Sequence, residues 1–423
     1  MLFLYSSLLA LAALAVLPVA LILSLRDPDL RRHWGERLGA APIFPGGSPP
    51  PLWVQAASVG EVQVALRILE EIGRILPGIP VLLSSTTPAG RRLAARSVPE
   101  GSLACHFPLD LPATIRRSLR RSRPRALVLI ETEIWPNLLR ECSRSGVPVI
   151  LVNGRISARS FPRYRRIRAL VAPALARVDR FCMRSPEDAG RIRALGAPPD
   201  RIRVTGNVKW DLPSPGAPAS DIRRNLGLPR EAPVLVAGST SEGEDEVVLE
   251  AWSGLRKDFP DLRLVLAPRH PQRFEKVARL LSGMGIHFQR RSRGATGDFP
   301  VLLLDSVGEL RSVYAAGTVC FVGGSLVSRG GQNLMEPAAA GRPVLFGPRT
   351  ENFEEAARSL LEEGAGFRIE DADSLEAAAR RLFSDSAACE ESGRKGRELV
   401  SRNRGAAARA AAMIAGILRE PAK

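Results

Sequence analysis

The sequence predicts an α/β protein made of two Rossmann-like domains that face a cleft, preceded by an N-terminal membrane-anchor helix. The chain has 423 residues, which is too long for one ordinary domain. Short apolar runs alternate with helical patterns along two long stretches, and a segment rich in Pro, Gly and Ser, residues 213–220, lies between them. The first 25 residues carry no charged side chain and are enough to cross a bilayer as a helix.

The apolar N-terminal stretch, residues 1–25, is expected to remain attached as an anchor. Basic residues follow this stretch, at Arg26, Arg31, Arg32 and Arg37, whereas a cleaved signal peptide has basic residues before its apolar run. By the positive-inside rule, the rest of the chain is then expected on the cytoplasmic side of the membrane.

The first domain, residues 26–212, is predicted from short apolar runs separated by helical patterns. Its predicted strands are Leu52–Ala56, Val81–Ser84, Ala126–Ile130, Val147–Val152, Arg180–Met183 and Ile202–Val204. This alternation indicates a parallel sheet with helices on both faces.

The second domain, residues 221–405, repeats the same pattern. Its predicted strands are Val234–Ala237, Arg263–Ala267, Val301–Leu304, Thr318–Val322, Val344–Phe346 and Gly366–Ile369. Residues 406–423 follow as an Ala-rich C-terminal helix and tail. In two facing domains of this kind, a ligand is expected at the carboxyl ends of the strands.

The composition favours an anionic partner that is not a nucleic acid. The formal net charge is +16, which suits a phosphorylated substrate or an anionic membrane surface. Aromatic residues make up only 5% of the chain and do not interleave with its basic stretches, as a surface for stacking bases would require. The five cysteines form no C-x-x-C pair, which argues against a zinc site or a disulfide framework.

A glycine-rich loop in the second domain is the main candidate for a phosphate site. The stretch Phe321–Gly347 predicts a strand, a loop that contains Gly323, Gly324 and Ser325, and a short helix that starts near Gln332. Glycines let backbone N–H groups approach a ligand closely, and the N-terminus of a helix favours an anion.

Other polar residues of the second domain extend this candidate site. Asn333 and Glu336 are three residues apart, and an acid beside a phosphate site is best explained as an acceptor for a hydroxyl group, as on a ribose. The alternative is a helix capping box. Arg269 ends a predicted strand and suits an anion, whereas the adjacent His270 could be only a loop residue.

In the first domain, Ser58 and Glu61 follow the first predicted strand. The spacing S-x-x-E is typical of a capping box, in which Ser58 caps the next helix and Glu61 bonds back to the cap. Glu61 also stands at the carboxyl end of a strand, where a general base would face the cleft. The residues alone leave both interpretations open.

Three further charged residues of the first domain are candidates for a ligand site. Glu131 and Glu133 end the strand Ala126–Ile130 beside Trp135, a place where charged residues seldom stand without partners. Lys209 lies near the end of the domain and suits a carboxylate or phosphate, the alternative being a solvated linker lysine.

Several sequence blocks occur together in a specific order. They are SVGE, SSTTPAG, ETEIWPNL, NGRISARSF, TGNVKWD, GSTSEGEDE, LAPRHPQRF and GGSLVSRGGQNLMEPAAAGRPVLFGP. In this order and spacing, and with HWGERLG (His33–Gly39) after the apolar N-terminus, nearly the whole chain resembles the 3-deoxy-D-manno-octulosonic acid (Kdo) transferases of lipopolysaccharide synthesis.

The resemblance implies a GT-B fold and a metal-independent, inverting transfer of Kdo from CMP-Kdo. The acceptor would be a hydroxyl of the tetraacyl lipid A precursor (lipid IVA), an amphiphile that carries two phosphates. CMP-Kdo is then a substrate, no cofactor is needed, and the enzyme is expected at the inner membrane on its cytoplasmic side.

The resemblance also implies roles for individual residues. Glu61 would be the general base, and Glu131 or Glu133 would act with Lys209 on the Kdo moiety, with no choice possible between the two glutamates. The residues implied in CMP binding are Arg269, His270, Gly323, Gly324, Ser325, Asn333 and Glu336. No metal ligand is implied.

The chain departs from the family pattern at two places. Gln55 stands where a histidine commonly precedes A-x-S-V-G-E, and Gln332 stands where G-G-H-N is usual. Glutamine keeps the capacity for hydrogen bonding but cannot carry a proton or a charge, so a role that needs a histidine is in doubt at both places.

Two other functions are compatible with parts of this pattern. A UDP-sugar epimerase shares two Rossmann-like domains and an E-P-x-x-x-G-x-P stretch, and a basic membrane scaffold could bind a nucleotide without turnover. The basic clusters Arg116–Arg125 and Arg155–Arg168 suit the acceptor phosphates or the membrane, the alternative being a solvated helix surface.

Overall fold

The computed structural model describes residues 1–26, 31–212, 218–294 and 297–419, without the side chains of residues 17–26. The chain forms two compact units. The first comprises residues 1–211 and 405–423, and the second comprises residues 212–404. Part of the predicted linker, residues 213–217, lies outside the described residues.

The first unit is built on a parallel seven-stranded sheet of order β3-β2-β1-β4-β5-β6-β7. Its strands are β1 (Leu52–Gln55), β2 (Val81–Ser85), β3 (Leu103–His106), β4 (Ala126–Ile130), β5 (Val149–Gly154), β6 (Arg180–Met183) and β7 (Ile202–Val204). Its helices are α1 (Leu2–Arg26), α2 (Trp34–Arg37), α3 (Val59–Ile75), α4 (Pro88–Ser97), α5 (Pro112–Ser122), α6 (Pro136–Arg144), α7 (Phe161–Arg166), α8 (Arg168–Leu175) and α9 (Pro186–Leu195).

Both faces of this sheet are covered, which is why its central strands are apolar throughout. Leu52 and Val54 of β1 pack into the core on one face, whereas Trp53 packs into the core on the other. The chain order reverses between β1 and β4, and ligands of open α/β sheets bind at such a switch point.

The second unit carries its own parallel seven-stranded sheet, of order β10-β11-β9-β8-β12-β13-β14. Its strands are β8 (Val234–Thr240), β9 (Arg263–Pro268), β10 (Phe288–Arg290), β11 (Val301–Leu303), β12 (Val319–Val322), β13 (Val344–Phe346) and β14 (Gly366–Arg368). Its helices are α10 (Ala219–Asn225), α11 (Glu244–Leu255), α12 (Phe274–Gly283), α13 (Leu310–Val313), α14 (Met335–Ala339), α15 (Glu354–Glu362), α16 (Ala372–Ser384) and α17 (Ser386–Asn403). The prediction of two α/β domains with parallel sheets is confirmed.

The C-terminal helix α18 (Ala406–Arg419) belongs to the first unit. Its small apolar face, which includes Ala410 and Ile414, is buried in the core that α3 also covers. Asp211 receives hydrogen bonds from the N–H groups of Gly405 (2.5 Å) and Ala407 (2.6 Å), so this carboxylate holds the start of the helix.

The membrane anchor predicted for residues 1–25 is not supported. Tyr5 donates a hydrogen bond to Asp110 (2.9 Å), and Ser6 donates one to Asn137 (3.0 Å), so polar groups of α1 bond to the α/β unit itself. Where side chains are described, no helix is sufficiently long and apolar to span a membrane. The last part of the predicted anchor, residues 17–25, lies outside those side chains.

Candidate active site

In the first unit, the predicted site residues come together at the carboxyl edge of the sheet. Strands β1 and β4 are neighbours, with Gln55 aligned to Leu129, so the segments that follow them lie side by side. Glu61 follows β1, whereas Glu131 and Glu133 follow β4. Burial raises the pKa of the Glu61 carboxyl, and the negative charges of Glu133 and Glu131 add to this effect.

Glu61 is both a capping residue and a carboxylate at the sheet edge. Ser58 is the N-cap of α3, and its Oγ accepts a hydrogen bond from the N–H of Glu61. The Glu61 side chain turns back so that Oε2 accepts from the N–H of Ala57 (2.6 Å) and Oε1 accepts from the Ser58 hydroxyl (3.3 Å). The two interpretations of S-x-x-E are therefore compatible, because the cap fixes where the carboxylate points.

The environment of Glu61 tunes its proton affinity. Burial raises the pKa of the Glu61 carboxyl to about 7, and the charges of Glu133 and Glu131 act in the same direction against the lowering effect of the Ala57 and Ser58 hydrogen bonds. A carboxyl group with a pKa near neutrality is suited to take up a proton at working pH.

Glu133 is held by Gln55, the residue at which the chain departs from the family pattern. Gln55 is fully buried, and its Nε2 donates to Glu133 Oε2 (3.1 Å) and to the Thr86 hydroxyl (3.2 Å). Trp135 Nε1 donates to the same Glu133 oxygen (2.8 Å). Burial raises the pKa of Glu133, whereas the hydrogen bonds from Trp135 and Gln55 lower it.

The orientation of Gln55 is set by a second layer of buried groups. Trp53 Nε1 donates to Ser84 Oγ (2.8 Å), and Ser84 Oγ donates to Gln55 Oε1 (2.6 Å). Since Oε1 of Gln55 serves as the acceptor, its amide N–H groups must face Glu133 and Thr86. Glutamine thus supplies a neutral donor to Glu133 that does not change with pH.

The two glutamates after β4 have different partners. Glu131 Oε1 lies 3.7 Å from Nζ of Lys209, whereas Glu133 faces Gln55 and Trp135. Glu131 also has a left-handed backbone with φ of 61°, which is strained for a residue other than glycine and often marks functional sites. The predicted trio of Glu131, Glu133 and Lys209 therefore divides into an ion pair and a separately held carboxylate.

In the second unit, the glycine-rich loop follows β12 and packs against the end of β8. A side chain at Gly323 would overlap the Ser239 carbonyl oxygen, because a Cβ there would lie 2.6 Å from it. Gly324 has φ of +67°, a conformation that other residues rarely adopt. Glycine at position 323 thus lets the loop pack on β8, and glycine at position 324 permits its left-handed backbone.

The N–H groups of this loop bind a buried glutamate that the sequence analysis did not identify. Glu244, at the start of α11, is fully buried and accepts from the N–H groups of Gly324 (2.6 Å), Ser325 (3.0 Å) and Leu326 (2.9 Å). It also accepts from the Ser241 N–H (2.7 Å).

The expectation that these loop amides hold a phosphate would therefore require Glu244 to release them. The Gly323 N–H donates to the Gly238 carbonyl (2.8 Å). The Ser325 hydroxyl donates to the Val322 carbonyl (2.6 Å) and accepts from the Gly347 N–H (2.8 Å). The loop is built from internal hydrogen bonds.

The short helix after the loop begins later than predicted, at Met335 instead of Gln332, and has five residues. Gly330 and Gly331 have positive φ, and the Gln332 N–H donates to the Gly323 carbonyl (3.2 Å), so the chain stays in the loop conformation past Gln332. Asn333 accepts from the Met335 N–H (3.1 Å) and donates to Glu336 Oε1 (3.2 Å). Asn333 and Glu336 are thus in direct contact.

Arg269 and Glu336 lie on the same side of the second unit. The exposed Arg269 donates through Nε to Gln332 Oε1 (3.1 Å), so glutamine replaces histidine here as a neutral acceptor. Burial raises the pKa of the Glu336 carboxyl, whereas the positive charges of Arg311 and Arg269 lower it. The structure therefore adds Arg311, which the sequence analysis missed, to this group, and it leaves His270 exposed beside Arg269.

A second buried carboxylate supports the end of β8. Asp245 accepts from the Thr240 hydroxyl (2.6 Å) and from Arg273, which also donates to the Thr240 carbonyl (2.7 Å). The sequence signal for Glu244 and Asp245 was the acidic block SEGEDE directly after a strand. Across the described residues, no group of three or more His, Cys, Asp and Glu side chains is arranged to hold a metal ion.

Comparison with known proteins identifies the family. Residues 32–212 match the family model described as 3-deoxy-D-manno-octulosonic-acid transferase (kdotransferase). The chain is 34% identical to the 3-deoxy-D-manno-octulosonic acid transferase of Haemophilus influenzae, with 96% of each chain covered. It is 40% identical to the transferase of that name from Bordetella pertussis, over 76% of this chain and 77% of the other.

A solved structure is similar in fold. The calicheamicin glycosyltransferase CalG4 superposes with a TM-score of 0.55 at 16% identity, over 89% of this chain and all of the other. At that identity the likeness shows only the fold, a two-domain GT-B-like arrangement with parallel sheets. The sequence relatives show more, and the chain belongs to the 3-deoxy-D-manno-octulosonic acid (Kdo) transferase family of glycosyltransferases, which acts in lipopolysaccharide synthesis.

Proposed function

We propose that the chain transfers Kdo from CMP-Kdo to a hydroxyl of the tetraacyl lipid A precursor, with inversion and with Glu61 as the general base. The observation that carries this proposal is the Glu61 carboxyl group. It is fixed at the carboxyl edge of the first sheet by Ala57 and Ser58, and burial raises its pKa to about 7. Such a group is poised to accept a proton at neutral pH.

In the proposed step, an acceptor oxygen attacks C2 of Kdo as the bond from C2 to the phosphate oxygen of CMP breaks. The hydroxyl proton moves to Glu61, and CMP leaves with the bonding electron pair. The carboxylate oxygens of Glu61 already accept hydrogen bonds from Ala57 and Ser58, which orient the base before the acceptor binds.

Lys209 and the two glutamates after β4 are proposed to act on the Kdo moiety. Lys209 suits the Kdo carboxylate, and its contact with Glu131 at 3.7 Å holds the ammonium group in place. Glu133 keeps an oxygen, Oε1, that Gln55 and Trp135 do not bind, and this oxygen suits a hydroxyl group of the sugar.

Donor binding is proposed for the second unit. Arg269 suits the phosphate of CMP, and Glu336 suits the ribose hydroxyls, with Asn333 holding the Glu336 carboxylate. The positive charges of Arg269 and Arg311 would stabilise the negative charge that develops on departing CMP, which is the basis for proposing transfer without a metal ion. The Gly323–Ser325 loop, tied to Glu244, would support these residues.

The exposed arginines of the first unit are proposed to contact the acceptor or the membrane that carries it. Arg116, Arg117 and Arg120 on α5 are exposed, as are Arg163 and Arg165 on α7. Positive charge of this kind attracts both lipid phosphates and the anionic cytoplasmic surface of a membrane.

The test of this function is a transfer assay with CMP-Kdo and tetraacylated lipid A precursor, followed by mass spectrometry of the lipid. Addition of one or more Kdo units is expected, together with release of CMP, and the same measurement counts the units added. Absence of added mass from a protein that binds CMP would overturn the proposed acceptor. Conversion of a UDP-sugar to its epimer instead would favour the epimerase alternative.

Replacement of Glu336 by Ala is expected to weaken CMP binding about tenfold or more, because two hydrogen bonds to a charged acceptor are lost. Isothermal titration with CMP measures this effect. Glu351→Ala, at an exposed glutamate of the same unit, is the matched control and should leave the affinity unchanged. Equal affinities in the two variants would remove the ribose role of Glu336.

Replacement of Gln55 by Leu is expected to lower kcat about tenfold, because Glu133 then loses one of its two donors. If Gln55 acts through Glu133, the same change in a Glu133→Gln background should have little further effect. Gln63→Leu, on the exposed face of α3, is the control. Additive losses in the double variant would contradict this role.

A further inference from the structure

The segment HWGERLG places a half-buried arginine at the same edge of the first sheet as the three glutamates. Arg37 ends α2, and its Nη2 donates to the Thr86 carbonyl (3.0 Å) and lies 3.3 Å from Nδ1 of His106. Thr86 is also the residue whose hydroxyl accepts from Gln55 (3.2 Å). Arg37 is thus linked through one residue to the group that holds Glu133.

No carboxylate of the described residues forms an ion pair with Arg37. The adjacent Glu36 binds other groups: it accepts from Arg91 through Nε (3.0 Å) and Nη2 (3.1 Å) and from the His106 N–H (2.7 Å). In the parts of the chain that the structure describes, no ion pair joins Arg37 to an acid, and its bonded partners are the Thr86 carbonyl and the His106 ring. A guanidinium that is partly removed from water without a counterion is uncommon unless a ligand supplies one.

The negative charge near Arg37 comes from Glu36, which is already paired with Arg91. Burial and the charges of Arg37 and Arg91 lower the pKa of His106 to about 4, so this imidazole is neutral at working pH. Burial likewise lowers the pKa of Arg37 itself, and the charge of Glu36 offsets this only in part. Glu36 and Arg91 neutralise each other, and the cluster as a whole retains the positive charge of Arg37.

We propose that Arg37 binds a phosphate group of the lipid acceptor and so sets which phosphorylated acceptors the enzyme uses. This inference rests on the proposed function. The fork of guanidinium donors matches a phosphate. Among the described residues only Nη2 of Arg37 has hydrogen-bond partners, so Nε and Nη1 can donate to a ligand. The acceptor is favoured over CMP-Kdo because Arg37 belongs to the unit that carries the proposed base.

The experiment compares wild type with Arg37→Gln and Arg37→Lys on tetraacylated acceptors that carry both phosphates or lack one of them. Arg37→Gln is expected to raise KM for the bisphosphorylated acceptor about tenfold while kcat and the KM for CMP-Kdo change little. For the acceptor that lacks the contacted phosphate, wild type and variant should have the same KM. Arg37→Lys keeps the positive charge but lacks the forked guanidinium donors. Its KM for the bisphosphorylated acceptor should lie between those of wild type and Arg37→Gln. Arg96→Gln removes an exposed charge from α4 of the same unit and is the control.

The outcomes distinguish this inference from the proposed function. No Kdo transfer by wild type would overturn the proposed function itself. Transfer with an acceptor KM that is the same in Arg37→Gln, Arg96→Gln and wild type would mean that the guanidinium is only hydrated. A raised KM for CMP-Kdo instead would assign the contact to the donor and overturn the acceptor role. If Arg37→Gln unfolds at a lower temperature than wild type, the two acceptors are compared with Arg37→Lys instead. A purely structural role would change KM equally for both acceptors, whereas phosphate binding would change KM only for the acceptor that carries the contacted phosphate.

Discussion

Replacement of Glu61 by Gln is expected to lower kcat about 10²- to 10⁴-fold, the usual contribution of a general base. The amide keeps the size of the side chain and an oxygen that can accept from the Ala57 N–H, so the cap of α3 should persist. It cannot take up a proton, so the acceptor hydroxyl loses its base. The measurement is single-turnover transfer of Kdo, together with CMP affinity, which should stay near that of wild type.

Glu70→Gln is the matched control for this change. Glu70 lies on the same helix, pairs with Arg67 and has a side chain that is 55% exposed, and its replacement should leave kcat within about twofold because exposed ion pairs contribute little. Substantial turnover by Glu61→Gln would mean that Glu61 only caps the helix and that another group removes the proton.

The pH dependence of the wild-type enzyme provides a second view of the same residue. A base must be unprotonated to act, and the pKa of Glu61 is raised from its ordinary value to about 7. The value of kcat/KM should therefore rise with pH through about 7 and then level off, and it should fall about tenfold per pH unit below that range. In Glu61→Gln this acidic limb should be absent from the residual activity.

The sequence predicts the centre of each domain well because the central strands of a parallel sheet are buried on both faces. Strands such as Ala126–Ile130 are therefore continuous apolar runs, and they are found at the predicted positions. Two of the four edge strands, Leu103–His106 and Phe288–Arg290, were missed. Both are short and only partly buried, so neither has the apolar run by which the central strands are recognised.

The candidate site was predictable where a residue follows a strand and less so where its partner is distant in the chain. Glu61, Glu131 and Glu133 follow β1 and β4, and the neighbouring positions of these strands bring the acids together. The contact that holds Glu133, from Gln55, joins residues 78 positions apart, and no local pattern reveals it. The same is true of Lys209, which pairs with Glu131, 78 positions earlier in the chain, and not with Glu133.

The glycine-rich loop shows how a correct local pattern can leave the chemistry open. Its glycines are required, as the close approach of Gly323 to β8 shows. Their purpose in the structure is to bring N–H groups to the carboxylate of Glu244, about 80 residues earlier. An internal carboxylate thus occupies the kind of site that the pattern assigns to a phosphate, and only the fold reveals which anion is present.

Replacement of Glu244 by Ala is therefore expected to destabilise the second unit by about 3–5 kcal/mol. Four backbone N–H groups, those of Ser241, Gly324, Ser325 and Leu326, lose their acceptor in a site that is closed to water. Each buried donor left without a partner costs about 1–3 kcal/mol, part of which the loop can recover by shifting. Urea unfolding followed by a probe in the second unit measures the loss.

Glu246→Ala is the matched control, since Glu246 is exposed in the same first turn of α11 and its loss should change the free energy of unfolding by no more than about 0.5 kcal/mol. Glu244→Gln keeps one acceptor oxygen but turns an NH₂ group towards backbone donors, so we expect an intermediate loss of stability.

Hydrogen exchange should be faster at Gly324, Ser325 and Leu326 in Glu244→Ala. CMP affinity should also fall, because Arg269 is held by Gln332, which follows the loop. Unchanged stability and exchange would mean that other acceptors replace this carboxylate, and a gain in CMP affinity would mean that Glu244 competes with the phosphate for the loop amides.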